Sequence, residues 1–183
     1  DTKNTAGDPT GVNGGSYYNS AANQLRCYEG NAWKNCISST LVPKVTTQTV
    51  TNSATFTNDT ALFFPMLANN TYTFDAAINF STTSAAADFK YTFTVPAGAI
   101  VSISTVAPTG AAASSVCNIT ATGQTCTLAS TANYRGTLMI TGYVFNGANA
   151  GNLQFQFAQN TQTAGQSVSV YQGSSLSWKR TSP

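Results

Sequence analysis

The side chains best suited to covalent or acid–base chemistry in this 183-residue chain are four cysteines and six carboxylates, because it contains no histidine. The cysteines fall into two pairs, Cys27/Cys36 and Cys117/Cys126, each with eight residues between the partners. A structural zinc site wants Cys or His ligands at tight spacings such as C-x2-C, and neither pair offers one. The pattern predicts two disulfides, each closing a ten-residue loop and contributing about 2–3 kcal/mol on a chain-entropy estimate. Disulfides imply an oxidising setting outside the cytosol, or a particle released into one. Without His, Ser-His-Asp and Cys-His arrangements are excluded.

The carboxylates are Asp1, Asp8, Glu29, Asp59, Asp75 and Asp88. Glycoside hydrolysis needs two of them facing each other across a cleft. Asp75 and Asp88 stand on neighbouring predicted strands and could approach, but each reads more simply as an outward polar position. In "TNDTA", Asn58 and Asp59 offer a minimal oxygen cluster of the kind calcium needs, and the simpler reading is a turn between strands. The expectation is a protein that is not an enzyme and takes no metal or cofactor. Exposed aromatic residues can stack on sugars, so Tyr17, Tyr18, Tyr28 and Trp33 are the candidate binding residues. Their competing role is to pack a small N-terminal module onto itself or onto a neighbouring subunit.

Those aromatic residues must be positioned by "SYYNSAANQLRCYEGNAWKNC". Tyr17 and Tyr18 lead into a turn at "NSAAN", followed by strand "QLRCYE", turn "GNA" and strand "WKNC". A hairpin folded about Asn31 and Ala32 would set Cys27 opposite Cys36 and Glu29 opposite Lys34, placing a disulfide and an ion pair in one register. So small a ribbon buries too little apolar surface to stand alone, and a covalent staple compensates.

A Ser/Thr-rich connector over 37–53 turns into a strand around Val45–Val50. From there apolar residues alternate with polar ones. Tyr72, Phe74, Ala76, Ile78 and Phe80 share one face, and Phe89, Tyr91, Phe93 and Val95 repeat the pattern. Val101 and Ile103 continue it, as do Leu138, Ile140 and Val144, then Leu153, Phe155 and Phe157, then Val168 and Val170. Period-two alternation broken by "PAGA", "APTGAAA", "FNGANAGN" and "YQGSS" predicts an all-β chain. The expected form is an antiparallel jelly-roll β-sandwich preceded by a small disulfide-stapled hairpin. The predicted division is an extended arm over 1–15, a β-hairpin module over 16–40 and the jelly roll over 41–183. "CNITATGQTC" reads as a hairpin with Gly123 near its tip, its disulfide pinning an exposed loop. Trp178 is expected on a terminal strand, packed over the sandwich edge.

Charged residues make up 8% of the chain, about a third of the usual share. Lys and Arg are scattered singly and the net charge is +2, so no basic run offers nucleic acid a phosphate-binding surface. No apolar stretch approaches the roughly 20 residues of a membrane span, and no membrane insertion is expected. The start, "DTKNTAGDPTG", lacks an initiator Met and an apolar h-region, so it reads as processed, trimmed or internal.

Two stretches carry a resemblance. Asn13-Gly14, Tyr17-Tyr18-Asn19, Asn23, Arg26, Tyr28, Gly30, Trp33 and Cys36 form a pattern that resembles a motif of phage tail-fibre, head-fibre and related bacterial surface proteins. In the second, Asn58, Asp59 and Leu62 are followed by Ala68, Asn69, Thr71, Tyr72 and Phe74, then by Ala87, Asp88, Lys90 and Pro96–Ala99. This order is similar to a segment of phage structural proteins, and the late "SVSVYQGSSLSWKR" resembles the closing strand pair of that domain. The resemblance implies a trimeric jelly-roll component of a phage particle, placed on the virion surface and partnered by copies of itself and by the major capsid or tail protein. The chain lacks the long shaft or coiled coil of a complete fibre, which favours a compact capsid decoration (cement) protein or a fibre tip. Two alternatives stay open: a tail-fibre tip that binds a host surface glycan, and a subunit of a bacterial surface filament or adhesin that assembles by strand addition outside the cell.

Overall fold

In a computed structural model, residues 2–3, 8–21, 24–36, 40–108 and 114–182 are described. They form sixteen strands, and no helix occurs among the described residues. The chain divides into two compact units, Asp1–Thr40 and Leu41–Pro183.

The first unit is a four-stranded ribbon in the order β1 (Thr2–Lys3), β2 (Ser16–Asn19), β3 (Gln24–Glu29) and β4 (Ala32–Asn35). β1 runs parallel to β2, and the other two ladders are antiparallel. Of the expected turn "NSAAN", Ala22 and Asn23 lie outside the described residues. The β3–β4 register differs from the expected one by two residues. Cys27 faces Lys34, Tyr28 faces Trp33 and Glu29 faces Ala32, so Cys27 is not directly opposite Cys36, nor Glu29 opposite Lys34. The turn decides this. Gly30 and Asn31 occupy its two central positions with φ of 59° and 61°, as a two-residue type I′ turn requires. A loop about Asn31 and Ala32 would force alanine into the left-handed region, which costs its Cβ a clash. A slip of two leaves every side chain on its original face. The disulfide Cys27–Cys36, with Cα atoms 5.1 Å apart, and the Lys34–Glu29 ion pair at 3.2 Å therefore both form on diagonals.

The larger unit holds β5 (Thr40–Pro43), β6 (Gln48–Thr51), β7 (Thr57–Met66), β8 (Thr71–Thr82), β9 (Phe89–Thr94) and β10 (Ile100–Pro108). It continues through β11 (Ser114–Ile119), β12 (Cys126–Leu128), β13 (Tyr134–Phe145), β14 (Gly151–Gln159), β15 (Ser167–Val170) and β16 (Ser175–Ser182). One sheet runs β11-β10-β13-β8-β15-β6, with β16 pairing the other half of β8 and β5 pairing β16. The second sheet runs β12-β9-β14-β7. β5/β6 and β15/β16 thus each act as one strand position interrupted midway. With those pairs counted as single strands, the chain alternates between the sheets at every step except the β10–β11 hairpin. That is the winding of a jelly roll, two four-stranded antiparallel sheets, with the β10–β11 hairpin added at one edge of the first sheet.

The alternating apolar residues fill the space between the sheets. From β8, Tyr72, Phe74, Ala76, Ile78 and Phe80 are all buried, as are Phe89, Tyr91 and Phe93 from β9 and Leu153, Phe155 and Phe157 from β14. Val101, Ile103, Leu138, Ile140, Val144, Val168 and Val170 complete that set, and Val95 packs half-buried against it. Trp178 sits between the sheets, its ring stacked on Phe64 at 5.2 Å near the β7 edge.

Two local expectations change. The strand expected around Val45–Val50 is split: β5 ends at Pro43, β6 begins at Gln48, and Val45 is exposed. The cause is Lys44, which turns inward while its N–H donates to Ser174 O at 2.8 Å and its carbonyl accepts Gly173 N–H at 2.8 Å. The second disulfide does not pin an exposed loop within a hairpin. β11 pairs with β10 in one sheet and β12 with β9 in the other, so Cys117–Cys126 bridges the two sheets at their shared edge, with Cα atoms 6.1 Å apart and Cys126 buried. The six residues Thr120–Thr125 carry the chain across.

Tyr91 is buried with its hydroxyl 2.5 Å from Thr105 Oγ1. Burial raises its phenol from the ordinary 10.0 to about 12, opposed by the Thr105 hydrogen bond. The folded state thus holds this proton more tightly than the unfolded chain. The resulting stabilisation is complete below pH 10 and is lost as pH climbs towards about 12, a loss of roughly 2 kcal/mol. Tyr91→Phe should flatten this alkaline decline in chemical-denaturation measurements, and identical declines in both proteins would refute the assignment.

Candidate functional site

Alternation sorts the ribbon into two faces. Tyr17, Arg26, Tyr28 and Trp33 share one, because Tyr17 faces Arg26 and Tyr28 faces Trp33 across the ladders. Tyr17 and Trp33 meet edge-on with ring centroids 4.8 Å apart, and Tyr28 lies 5.3 Å from Trp33. Asp8–Gly15, expected as part of an extended arm, folds onto this face instead. The Trp33 indole N–H donates to Pro9 O at 2.7 Å, and Tyr28 N–H donates to Gly15 O at 2.8 Å. Arg26 donates to Asp8 through Nε at 3.0 Å and Nη2 at 2.9 Å, while the Tyr17 hydroxyl donates to Asp8 at 2.5 Å. The hydrogen bond with Asp8 holds the Arg26 guanidinium above its ordinary pKa against the opposing effect of burial, and the Asp8 charge adds to it in lesser measure. Gly11 is where the segment crosses the ring of Tyr28: a Cβ there would lie 1.8 Å from Tyr28 Cε2.

Three of the four candidate aromatic residues are therefore committed to the ribbon's own packing. Tyr17 is buried, and Tyr28 and Trp33 are half-buried. Tyr18 stands on the opposite face, 40% exposed beside Leu25. The four do not converge on one open surface.

Asp1 lies outside the described residues, and the described carboxylates do not converge either. Asp75 is exposed on β8 of the first sheet, whereas Asp88 precedes β9 of the second and accepts Ser130 N–H at 3.0 Å. Asp59 is not in a turn. It lies within β7, fully buried, and pairs with the equally buried Lys44 through Oδ1 at 3.0 Å and Oδ2 at 2.9 Å. Its Oδ1 also accepts the N–H groups of Ala61 at 2.9 Å and Leu62 at 3.0 Å. Asn58 Oδ1 accepts Gln156 Nε2 at 2.6 Å, so these oxygens serve the fold and leave no open cluster for calcium. Among the described residues, no three His, Cys, Asp or Glu side chains are grouped to hold a metal ion.

A feature absent from the sequence-based expectations is a shallow groove of about 350 Å³ across the outer face of the first sheet, lined in part by Asp75, Ser104, Val106, Met139, Thr141 and Ser177. Its floor is striped by register. Ser177, Asp75, Thr141 and Ser104 are successive cross-strand neighbours on β16, β8, β13 and β10. Two residues along, Ala77, Met139 and Val106 form a parallel apolar row. Tyr143 flanks Thr141 on the other side of the polar row, 43% exposed.

No known protein family matches the chain, and no curated protein matches it by sequence. Two solved structures, of the Gt and Gx strains of infectious bursal disease virus, align with 85% and 83% of this chain at 10% and 8% identity, with TM-scores of 0.19 and 0.16. This chain spans only 42% and 39% of the lengths of those two chains, and at such TM-scores the likeness bears on neither its fold nor its role.

Proposed function

We propose that this chain is a non-enzymatic structural protein of a phage virion surface, a capsid-decorating or fibre subunit that acts as a homotrimer against the major capsid or tail protein. The observation that carries the reading is where its reactive groups go. All four cysteines are in disulfides. The Asp59 carboxylate is bound to Lys44 inside the body, and the Asp8 carboxylate is bound to Arg26 in the ribbon. Asp75 is on a strand of the first sheet, and Asp88 lies in the loop just before a strand of the second. A stapled ribbon and a jelly roll built this way work through surface contacts, and the phage-protein resemblance of both stretches names the setting.

Light scattering of the oxidised protein should give three times the 19.1 kDa chain mass. A single-chain mass at every concentration would remove the trimer. Antibodies to the protein should decorate intact particles of the source phage in electron micrographs. Label confined to bacterial cells or free filaments would overturn the virion assignment.

A further inference from the structure

We propose that the groove on the outer face of the first sheet is a binding site for a neutral glycan, an inference independent of the assembly reading above. Asp75, Ser104, Thr141 and Ser177 form its polar row, and none of these four side chains bonds to or pairs with another protein group among the described residues. Cross-strand neighbours lie about 4.8 Å apart, so the row presents a carboxylate and three hydroxyls across four strands, at right angles to the chain direction. Next to it run Met139 and Val106, 56% and 45% exposed, and on the other side Tyr143.

The donor and acceptor inventory selects the ligand. An ionised Asp accepts hydrogen bonds only, while Ser and Thr hydroxyls both donate and accept. A partner must therefore donate to Asp75 and exchange bonds with its neighbours. The groove lining holds a carboxylate and no Lys or Arg, and the one cation of the flanking row, Lys179 in the row of Tyr143, stands diagonal to Asp75 and is offset by it, so an anion is disfavoured. Calcium would need six or more oxygens with several charges among them, and Asp75 is the lining's single carboxylate. An added peptide strand pairs at a sheet edge, where backbone groups are open, and cannot do so on a face. A sugar fits each element: vicinal hydroxyls for Asp75 and the Ser/Thr row, and C–H faces for Met139, Val106 and the Tyr143 ring. The site is separate from the aromatic ribbon residues, three of which are spent on packing.

The test uses the intact oxidised protein on an array of neutral and anionic oligosaccharides, followed by calorimetric titration with the strongest neutral one. The expected result is selective retention of neutral glycans. Asp75→Ala and Tyr143→Ala should each weaken the titrated oligosaccharide roughly tenfold or more, the scale of losing a charge-assisted hydrogen bond or a stacked ring. Tyr18→Ala should leave its affinity unchanged. All three positions are exposed, and an unchanged unfolding temperature would establish that each variant is folded. Retention of anionic glycans alone, no retention at all, or neutral binding that survives Asp75→Ala and Tyr143→Ala would each overturn the proposal. Loss on Tyr18→Ala alone would overturn it in favour of the ribbon.

Discussion

Lys44→Met should lower the unfolding free energy of the jelly roll by about 3–5 kcal/mol, because it strands a buried carboxylate. The Lys44 and Asp59 side chains are both inaccessible to solvent. With the ammonium gone, Asp59 keeps the N–H groups of Ala61 and Leu62 on Oδ1, while Oδ2 loses the Lys44 ammonium that stood 2.9 Å away. Two amide dipoles offset only part of the desolvation of a full charge. Adding Asp59→Asn to Lys44→Met should recover most of the loss. The Asn carbonyl still accepts the two backbone N–H groups, and no buried charge remains. Replacing a buried pair by neutral side chains is often near-neutral for this reason. Denaturant titrations of the two single variants and the double variant would measure this as midpoint shifts at constant slope. A single variant within about 1 kcal/mol of the parent would show that water reaches the pair. The effect should spread beyond one contact. Lys44 also holds the turn between β15 and β16 through its backbone bonds to Gly173 and Ser174, and Asp59 belongs to the opposite sheet.

The second large effect is expected from Cys117→Ala combined with Cys126→Ala, at about 3 kcal/mol. A chain-entropy argument alone would give the same figure for any loop of this size. Here the bridge also joins β11 and β12, the edge strands of two different sheets. Each of those strands is held in its own sheet by a single ladder, and β12 is only three residues long. Without the bridge, these strands should fray first. Hydrogen exchange on the double variant should therefore accelerate at Cys126–Leu128 and Ser114–Ile119 ahead of β8 and β13. Uniform acceleration over all strands, or no loss of stability, would refute the inter-sheet role.

Alternation exposed the body of the fold. Each jelly-roll strand has one face in the core, so Tyr72 to Phe80 or Leu153 to Phe157 announce their burial locally. All the departures but the β3–β4 register share a cause: they depend on what lies across from a residue, and local spacing does not record that. Lys44, in a Ser/Thr-rich stretch, has no sequence mark of burial until β7 supplies Asp59. The two cysteine pairs have identical spacing, yet one closes a diagonal within a hairpin and the other spans two sheets. The β3–β4 register was open to correction from sequence, since Gly30-Asn31 is the better type I′ pair than Asn31-Ala32. The aromatic ribbon was legible as a cluster, but its cover by Asp8–Gly15 rests on contacts to Arg26, Tyr28 and Trp33 from far along the chain. The polar row of the groove needed the strand order, because Ser104 and Ser177 lie more than seventy positions apart and meet only through β8 and β13.

β5 and β16, the first and last strands of the jelly roll, are hydrogen-bonded neighbours. β6 and β15, which continue the same two strand positions, run antiparallel, so segments attached before and after this unit leave from the same side. Tension between two such attachments would first load the ladder joining these strands, and the aromatic stack of Phe89, Tyr91, Phe155 and Phe157 in the opposite sheet would stay out of the load path.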